Sequence, residues 1–176
     1  MAENNILTMV SVVDIASYIS ERYMREYDER IDEMKLHKLL YLTQRECLIQ
    51  TGEPMFEATF HAWKLGPVLP EIRHLYKLDE LKGTLSKDDE EKYARVLDYV
   101  FVEFAPKRSF VLSNLTHGEY SWTHAREGYS KYEDSDVPML TEDIRKSADY
   151  FRQRRNMLKL LEKSGINKSG PLVYVV

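Results

Sequence analysis

A single cysteine, Cys47, is all that 176 residues contain. An internal disulfide and a multi-cysteine zinc site are therefore excluded. Cys47 lies on the apolar face of an expected helix, the setting of a buried, inert thiol rather than a nucleophile. Long apolar runs are also missing, since none approaches the roughly 20 residues that cross a bilayer. The opening Met1-Ala2-Glu3-Asn4-Asn5 has no basic region of the kind that begins a signal peptide. These absences point to a cytoplasmic protein with no membrane partner. A glycine-rich phosphate loop is absent too: Gly66-Pro67 has neither the spacing nor the lysine. Only five histidines occur, and the one close pair, His117 and His124, has no third ligand nearby. Neither a metal nor another cofactor is expected. Positive charge is in deficit as well, and a net charge of −4 argues against a broad nucleic-acid footprint.

What remains is a soluble globular composition, 43% apolar and 31% charged, in a chain of one-domain length. The twelve tyrosines suit interaction surfaces, or simply amphipathic rings buried with the hydroxyl satisfied. Periodicity predicts mainly helices. Ser11 with Asp14 opens the first, lined by Val12, Ile15, Ala16, Ile19 and Tyr23. Asp32 caps the second, whose stripe is Leu36, Leu39, Leu40, Thr43 and Cys47, and Gly52 ends it. Ser86 with Asp89 opens the clearest helix, where Tyr93, Val96, Leu97, Val100, Phe101 and Phe104 run at three and four until Pro106. The acids Asp88 to Glu91 suit that helix's positive end and need no metal to explain them. Glu119 to Glu127 forms a helix closed by Gly128, and residues 129–139 are irregular. A last long helix starts at Thr141, with Ile144, Ala148, Phe151, Leu158 and Leu161 as its inner face.

Phe60 to Pro70 interrupts this helical pattern. Phe56 to Trp63 reads as a strand. Gly66 permits a backbone angle that other residues avoid, and Pro67 and Pro70 fix theirs. Pro70 stands where a first helical turn accepts it, ahead of Glu71, Ile72, Leu75 and Tyr76. The chain should enter extended, turn rigidly and leave as a helix. Such an elbow serves either as a core corner or as a preformed docking edge beside Trp63. Lys38, Tyr41 and Gln44 fall on flanks of the second helix, which are either a wet face or part of one groove with the elbow.

Three segments carry a family resemblance. Ala62-Trp63-Lys64-Leu65-Gly66-Pro67-Val68-Leu69-Pro70 looks like an "AW-x-x-GPV-x-P" signature. Leu36-His37-Lys38-Leu39-Leu40-Tyr41-Leu42-Thr43-Gln44 is similar to "LQKLLYYAQ". Leu115-Thr116-His117 followed by Ser121-Trp122-Thr123-His124-Ala125-Arg126 resembles "LTH…PW-x-x-AR". Together, and in this order, they resemble the Panacea domain of SocA-like antitoxins and phage-associated GepA-like proteins. His37, Leu42-Thr43 and Ser121 depart from that pattern. The resemblance favours a short helix over Phe110-Val111-Leu112 and Leu115, where the residues alone leave strand or helix open.

The expected architecture is a mainly α, multi-helix single domain with a small β element near residues 56–63. The Panacea-like body spans 1–152, and residues 153–176 carry the end of the last helix and an apolar tail. That tail, Pro171 to Val176, is β-prone and needs a cover: an edge strand on this domain, strand addition to a partner, or a role as a protease tag. Local chemistry supports no enzyme. His117 lacks a clear acid or nucleophile partner and is expected to bond a backbone carbonyl. The resemblance implies a binding module that neutralises a protein toxin encoded nearby. In the SocA-like branch it also implies an adaptor to a cellular protease. The expected contact residues are Lys38, Tyr41, Gln44, Trp63, Lys64, Gly66, Pro67 and Trp122. The alternative is a DNA-binding regulator using Arg152, Arg154 and Arg155 on the basic last helix, a run that otherwise reads as a solvated face or a contact for an acidic protein. A homodimer is left open.

Overall fold

The structure, a computed structural model, describes residues 9–164. Three of its helices begin where a short polar side chain precedes them. The Ser11 hydroxyl accepts from Val13 N at the start of α1 (Val12–Tyr27). Asp32 accepts from Lys35 N at the start of α2 (Glu33–Thr51), 2.8 Å away. These bonds satisfy amide donors that a helix leaves orphaned at its first turn. Gly52 closes α2 with φ +80°, as a left-handed cap requires.

α2 is the axis of the molecule. The expected stripe through Leu36, Leu39, Leu40, Thr43 and Cys47 is buried, Cys47 included, but so is every other residue from Lys35 to Ile49. The flanks carrying Lys38, Tyr41 and Gln44 are therefore not a wet face. The reason lies in the neighbours. α1, α4 (Lys87–Glu103), α5 (Ser109–His117) and α7 (Thr141–Lys163) all pack against it, and the hairpin described next covers its remaining side. In α4, Tyr93, Val96, Leu97, Val100 and Phe101 face inward as their spacing predicts, behind the Ser86 cap.

The extended stretch is shorter than the sequence suggests. Only His61–Trp63 forms strand β1, because the backbone just upstream is held elsewhere. Gln44 Oε1 accepts from Met55 N at 2.9 Å, and its Nε2 donates to Phe56 O at 2.7 Å. β1 pairs antiparallel with β2 (Gly66–Val68) on one side and β3 (Val137–Pro138) on the other. Trp63 stands opposite Gly66, so the chain reverses over Lys64-Leu65. The expected elbow is thus a hairpin that runs back as a strand before α3 (Pro70–Lys77) begins, with Pro70 in its first turn. β3 gives a two-residue strand to a segment expected to be irregular throughout.

The stretch 110–115 is helical, as the resemblance implies. α6 (Tyr120–Ala125) is shorter than expected and packs on α5 and α7. α7 buries Asp143, Ile144, Ser147 and Ala148 in its first half. The expected inner face does not persist. Leu158 and Leu161 are half-buried, and Met157 and Leu160 are 64% and 66% exposed. The fully buried contacts of α7 are made by its first two turns; beyond them Phe151 packs partly on the core, Arg155 reaches Glu46, and the remaining residues are half-buried or exposed. The tail from Pro171 to Val176 lies outside the described residues.

Candidate partner-binding groove

The first two turns of α2, the hairpin, α3 and the segment 134–136 enclose a groove of about 670 Å³. Helical spacing puts Met34, His37 and Lys38 on one side of α2, where they form the floor. Trp63, Leu65 and Val68 from the hairpin supply an apolar wall, and Arg73 of α3 closes one end. Asp134, Ser135 and Asp136 make the opposite rim.

Lys38 is the anchor of the floor. It is 1% exposed, and its Nζ donates to Pro67 O at 3.0 Å. Gly66 makes that reach possible. Its φ is +107°, and a Cβ there would stand 2.5 Å from Lys38 Cε and 2.7 Å from Thr116 Oγ1. Burial pulls the Lys38 amine down to about 7, against the opposing pull of Asp32 and Glu33. His37, also 1% exposed, accepts from Leu69 N through Nδ1 at 3.3 Å. That bond assigns the ring proton to Nε2, which has no hydrogen-bond partner among the described residues. Burial, then the nearby Lys38 and Arg73 charges, push His37 down to about 3, so the ring is neutral at pH 7.

The rim is held by hydrogen bonds and ion pairs. Asp136 Oδ1 accepts from Trp63 Nε1 at 2.7 Å and lies 2.8 Å from His61 Nδ1. The indole hydrogen bond, then that of His61, holds the Asp136 carboxyl below its ordinary range. Arg73 sits 4.9 Å over the Trp63 ring and 3.0 Å from Glu33. Lys64 pairs with Asp134 at 3.1 Å. Trp63 is thereby pinned at its ring and its nitrogen while one face lines the groove.

The expected contact residues divide into two groups. Lys38, Trp63 and Lys64 line the groove, with Gly66 and Pro67 immediately beneath as the backbone that Lys38 holds. Tyr41, Gln44 and Trp122 stand behind it in the interior. Tyr41 OH is 2.7 Å from Ser121 Oγ and 3.3 Å from Glu119, and burial, then the Glu119 charge, push the phenol far up. Glu119 is also paired with the buried Arg45. Trp122 is 7% exposed, and its Nε1 donates to Trp63 O at 2.9 Å, bracing the hairpin from below. His117 stacks on Trp122 at 4.1 Å with Nε2 3.4 Å from Ser113 Oγ; burial and the Lys38 charge pull the ring down to about 4, against its hydrogen bond to the Lys64 backbone, which raises it. Glu33, Met34, His37, Leu65, Val68, Arg73 and Asp134 to Asp136 were missed as groove residues. Only the period of α2 hinted at the first three, Leu65 and Val68 lie within the elbow itself, and nothing in the sequence placed the 134–136 segment opposite Trp63.

The basic helix face carries a second depression of about 600 Å³, lined in part by Arg95, Arg152, Arg155 and Lys159. Arg155 is committed there. Both terminal nitrogens lie 2.8 Å from the buried Glu46, and one also reaches Tyr99 OH at 2.8 Å. Arg152 pairs with Asp149 along the helix, and Arg154 is half-buried. Among the described residues no group of three His, Cys, Asp or Glu side chains is placed to hold a metal, and no helix is long and apolar enough to cross a membrane.

A mainly helical single domain with one small sheet, whose Trp63 hairpin walls a groove over the central helix, is the class of protein seen here. Residues 36–123, half of the 176-residue chain, match the family model described as antitoxin SocA-like, Panacea domain, and the chain belongs to that family. Antitoxin SocA of Caulobacter vibrioides (strain NA1000 / CB15N) is 32% identical over 60 residues, covering 34% of this chain and 32% of that protein. The match thus spans about a third of the curated relative's length. No solved structure matches the chain.

Proposed function

We propose that this protein is a cytoplasmic, non-enzymatic antitoxin that neutralises a protein toxin encoded beside it by direct contact through the Trp63 groove. The observation that carries the reading is the condition of Trp63. A large aromatic at the mouth of a concave apolar site is held ready by Asp136, Arg73 and the Trp122 brace. Aromatic anchors of this kind dominate interface energetics, and a wall that is already rigid loses little entropy on binding. The family membership and the partial likeness to Antitoxin SocA support the same role. Delivery of the bound toxin to a cellular protease, which the SocA-like resemblance implies, is a further part of the proposal.

Co-expression with the neighbouring gene product tests it. The wild-type chain is expected to rescue growth and to co-purify with that product. Trp63→Ala combined with Lys64→Glu is expected to lose both while keeping its melting temperature. Rescue by that double variant removes the groove from the interface. Failure of the wild type to rescue or co-purify removes the function itself.

A DNA-binding role draws less support. Of the three arginines it needs, Arg155 neutralises Glu46 and Arg152 is paired with Asp149. Duplex binding that falls steeply with salt, and that disappears in Arg152→Ala with Arg154→Ala, is the result that favours it.

A further inference from the structure

The central helix carries its second recess at the end away from the groove. The last turns of α2, Arg95 and Tyr99 of α4, and one face of α7 enclose the depression of about 600 Å³. Arg152, Arg155 and Lys159 stand three and four residues apart, so they share that face. From His37 to Gln50 α2 rises roughly 20 Å, and the two recesses have no lining residue in common. The cations differ in what they already hold. Arg155 is neutralised by the buried Glu46, which also accepts from Gln50 Nε2 at 2.9 Å, and Arg152 pairs with Asp149. Glu46 is the one acid among the described residues that line the recess. Arg95 and Lys159 are exposed and enter no ion pair among the described residues. Two uncommitted cations therefore face an opening in which no carboxylate is free.

We infer that this recess is a second binding site, taking a short acidic segment of a protein partner whose carboxylates accept from the Arg95 guanidinium and Lys159 Nζ. Arg155 is a positioning residue. Held by Glu46 and Tyr99, it fixes α7 against α2 and α4 and so sets the two free cations around one opening. Ion pairs sheltered in a recess are screened less than those on an open surface. The extent of the positive surface selects a short peptide over a duplex. From Arg152 to Lys159 α7 rises only about 10 Å, the span of about three extended residues. An acid stands at helical spacing beyond each end: Asp149 before Arg152, Glu162 after Lys159, and Glu91 one turn before Arg95. Rows of phosphate running past the recess would meet those carboxylates, on a chain whose net charge is already −4. No residue of the Trp63 groove takes part, so this site stands or falls apart from the antitoxin reading.

The experiment uses the full chain at low salt and three probes: end-blocked hexaglutamate, end-blocked hexaglutamine and a short DNA duplex. Binding is read by calorimetry and by the amide and side-chain resonances of labelled protein. Hexaglutamate is expected to bind and to shift the resonances of Arg95, Lys159 and Gln50, while those of Trp63 and Lys64 stay in place. Hexaglutamine is expected to bind at least about tenfold more weakly, since it keeps the chain and loses the charge. Arg95→Gln with Lys159→Gln is expected to cost hexaglutamate about tenfold in affinity and to keep its melting temperature, because both side chains are exposed. Arg154→Gln with Lys163→Gln removes the same amount of charge outside the recess and is expected to stay within about twofold of wild type. Should the Arg95 and Lys159 variant lose its fold, the resonances that move in the wild type still decide. Equal losses in the two double variants, shifts centred on the Trp63 groove, or no binding of hexaglutamate overturns the inference. A duplex held more tightly than hexaglutamate, and released by the Arg95 and Lys159 substitutions, overturns the peptide assignment in favour of nucleic acid.

Discussion

Lys38 crosses from the central helix to the carbonyl of Pro67, 3.0 Å from Nζ to O, and so ties the hairpin to the core at the base of the groove. The space for that crossing is the missing side chain of Gly66.

Gly66→Ala should therefore be costly. Its φ of +107° is unfavourable for any Cβ, and the new methyl would meet Lys38 Cε at 2.5 Å. The expected loss is about 2–4 kcal/mol, combining backbone strain with overpacking. Gly52→Ala has a similar angle, φ +80°, but nothing within 4 Å of the added carbon. It should lose only about 1–2 kcal/mol, the left-handed penalty alone. Urea unfolding of the two variants checks the difference.

Stability should climb with pH on account of the same floor. Lys38 falls to about 7 in the folded chain, against an ordinary value near 10.5. Between those values the unfolded chain binds a proton that the folded one does not, so stability rises with pH at up to ~1.4 kcal/mol per unit. His37, lowered to about 3 by burial, acts likewise between pH 3 and 6.5: its cost is absent above that range and grows as pH falls through it. Lys38→Met should flatten the alkaline rise, and His37→Gln should reduce the acid loss. Melting temperatures across pH for the three proteins measure both slopes.

Arg45 and Glu119 form a buried pair, 4% and 1% exposed at their side chains. Glu119→Ala strands the guanidinium and leaves the Tyr41 hydroxyl to Ser121 alone, and should cost about 3–5 kcal/mol. Arg45→Met with Glu119→Leu removes both charges and should recover at least half of that loss. A double variant no more stable than the single one would show that the pair itself holds the core together.

Arg155→Ala should behave as a stability variant. It leaves Glu46, whose side chain is fully buried, without its bidentate partner. A loss of about 2–4 kcal/mol is expected from that uncompensated charge. Replacement of the neighbouring Arg152, whose pairing is a local and exposed one with Asp149, should stay within about 1 kcal/mol. Chemical denaturation distinguishes the two.

Asp136→Asn keeps the shape of the rim but weakens its grip on the Trp63 indole and on His61. The Trp63 emission should shift and its anisotropy fall, with little change in the melting temperature. Unchanged emission would mean that Arg73 alone holds the ring.

Much of the fold was legible because it is local. Ser11, Asp32 and Ser86 cap the helices they precede, and Pro70 starts α3, since each effect acts within one turn of chain. The stripe of α4 faces inward for the same reason: its period contains the answer. Where the sequence misleads, a distant partner decides. Gln44 takes the backbone of Met55 and Phe56 and so shortens the strand that alternation had predicted. Leu158 and Leu161 carry the right spacing, yet the wall they would pack on lies further back along α7.

The amino-acid order by itself determined the helices, the glycine and proline of the hairpin, and the family, because each rests on neighbours along the chain. Which polar side chains of α2 meet a groove and which meet the interior was decided only in three dimensions. Lys38 and Gln44 are equally buried, but one underlies an opening and the other holds a loop. That difference depends on what α5, α7 and residues 134–136 bring alongside, and no pattern within α2 encodes the positions of segments up to a hundred residues away.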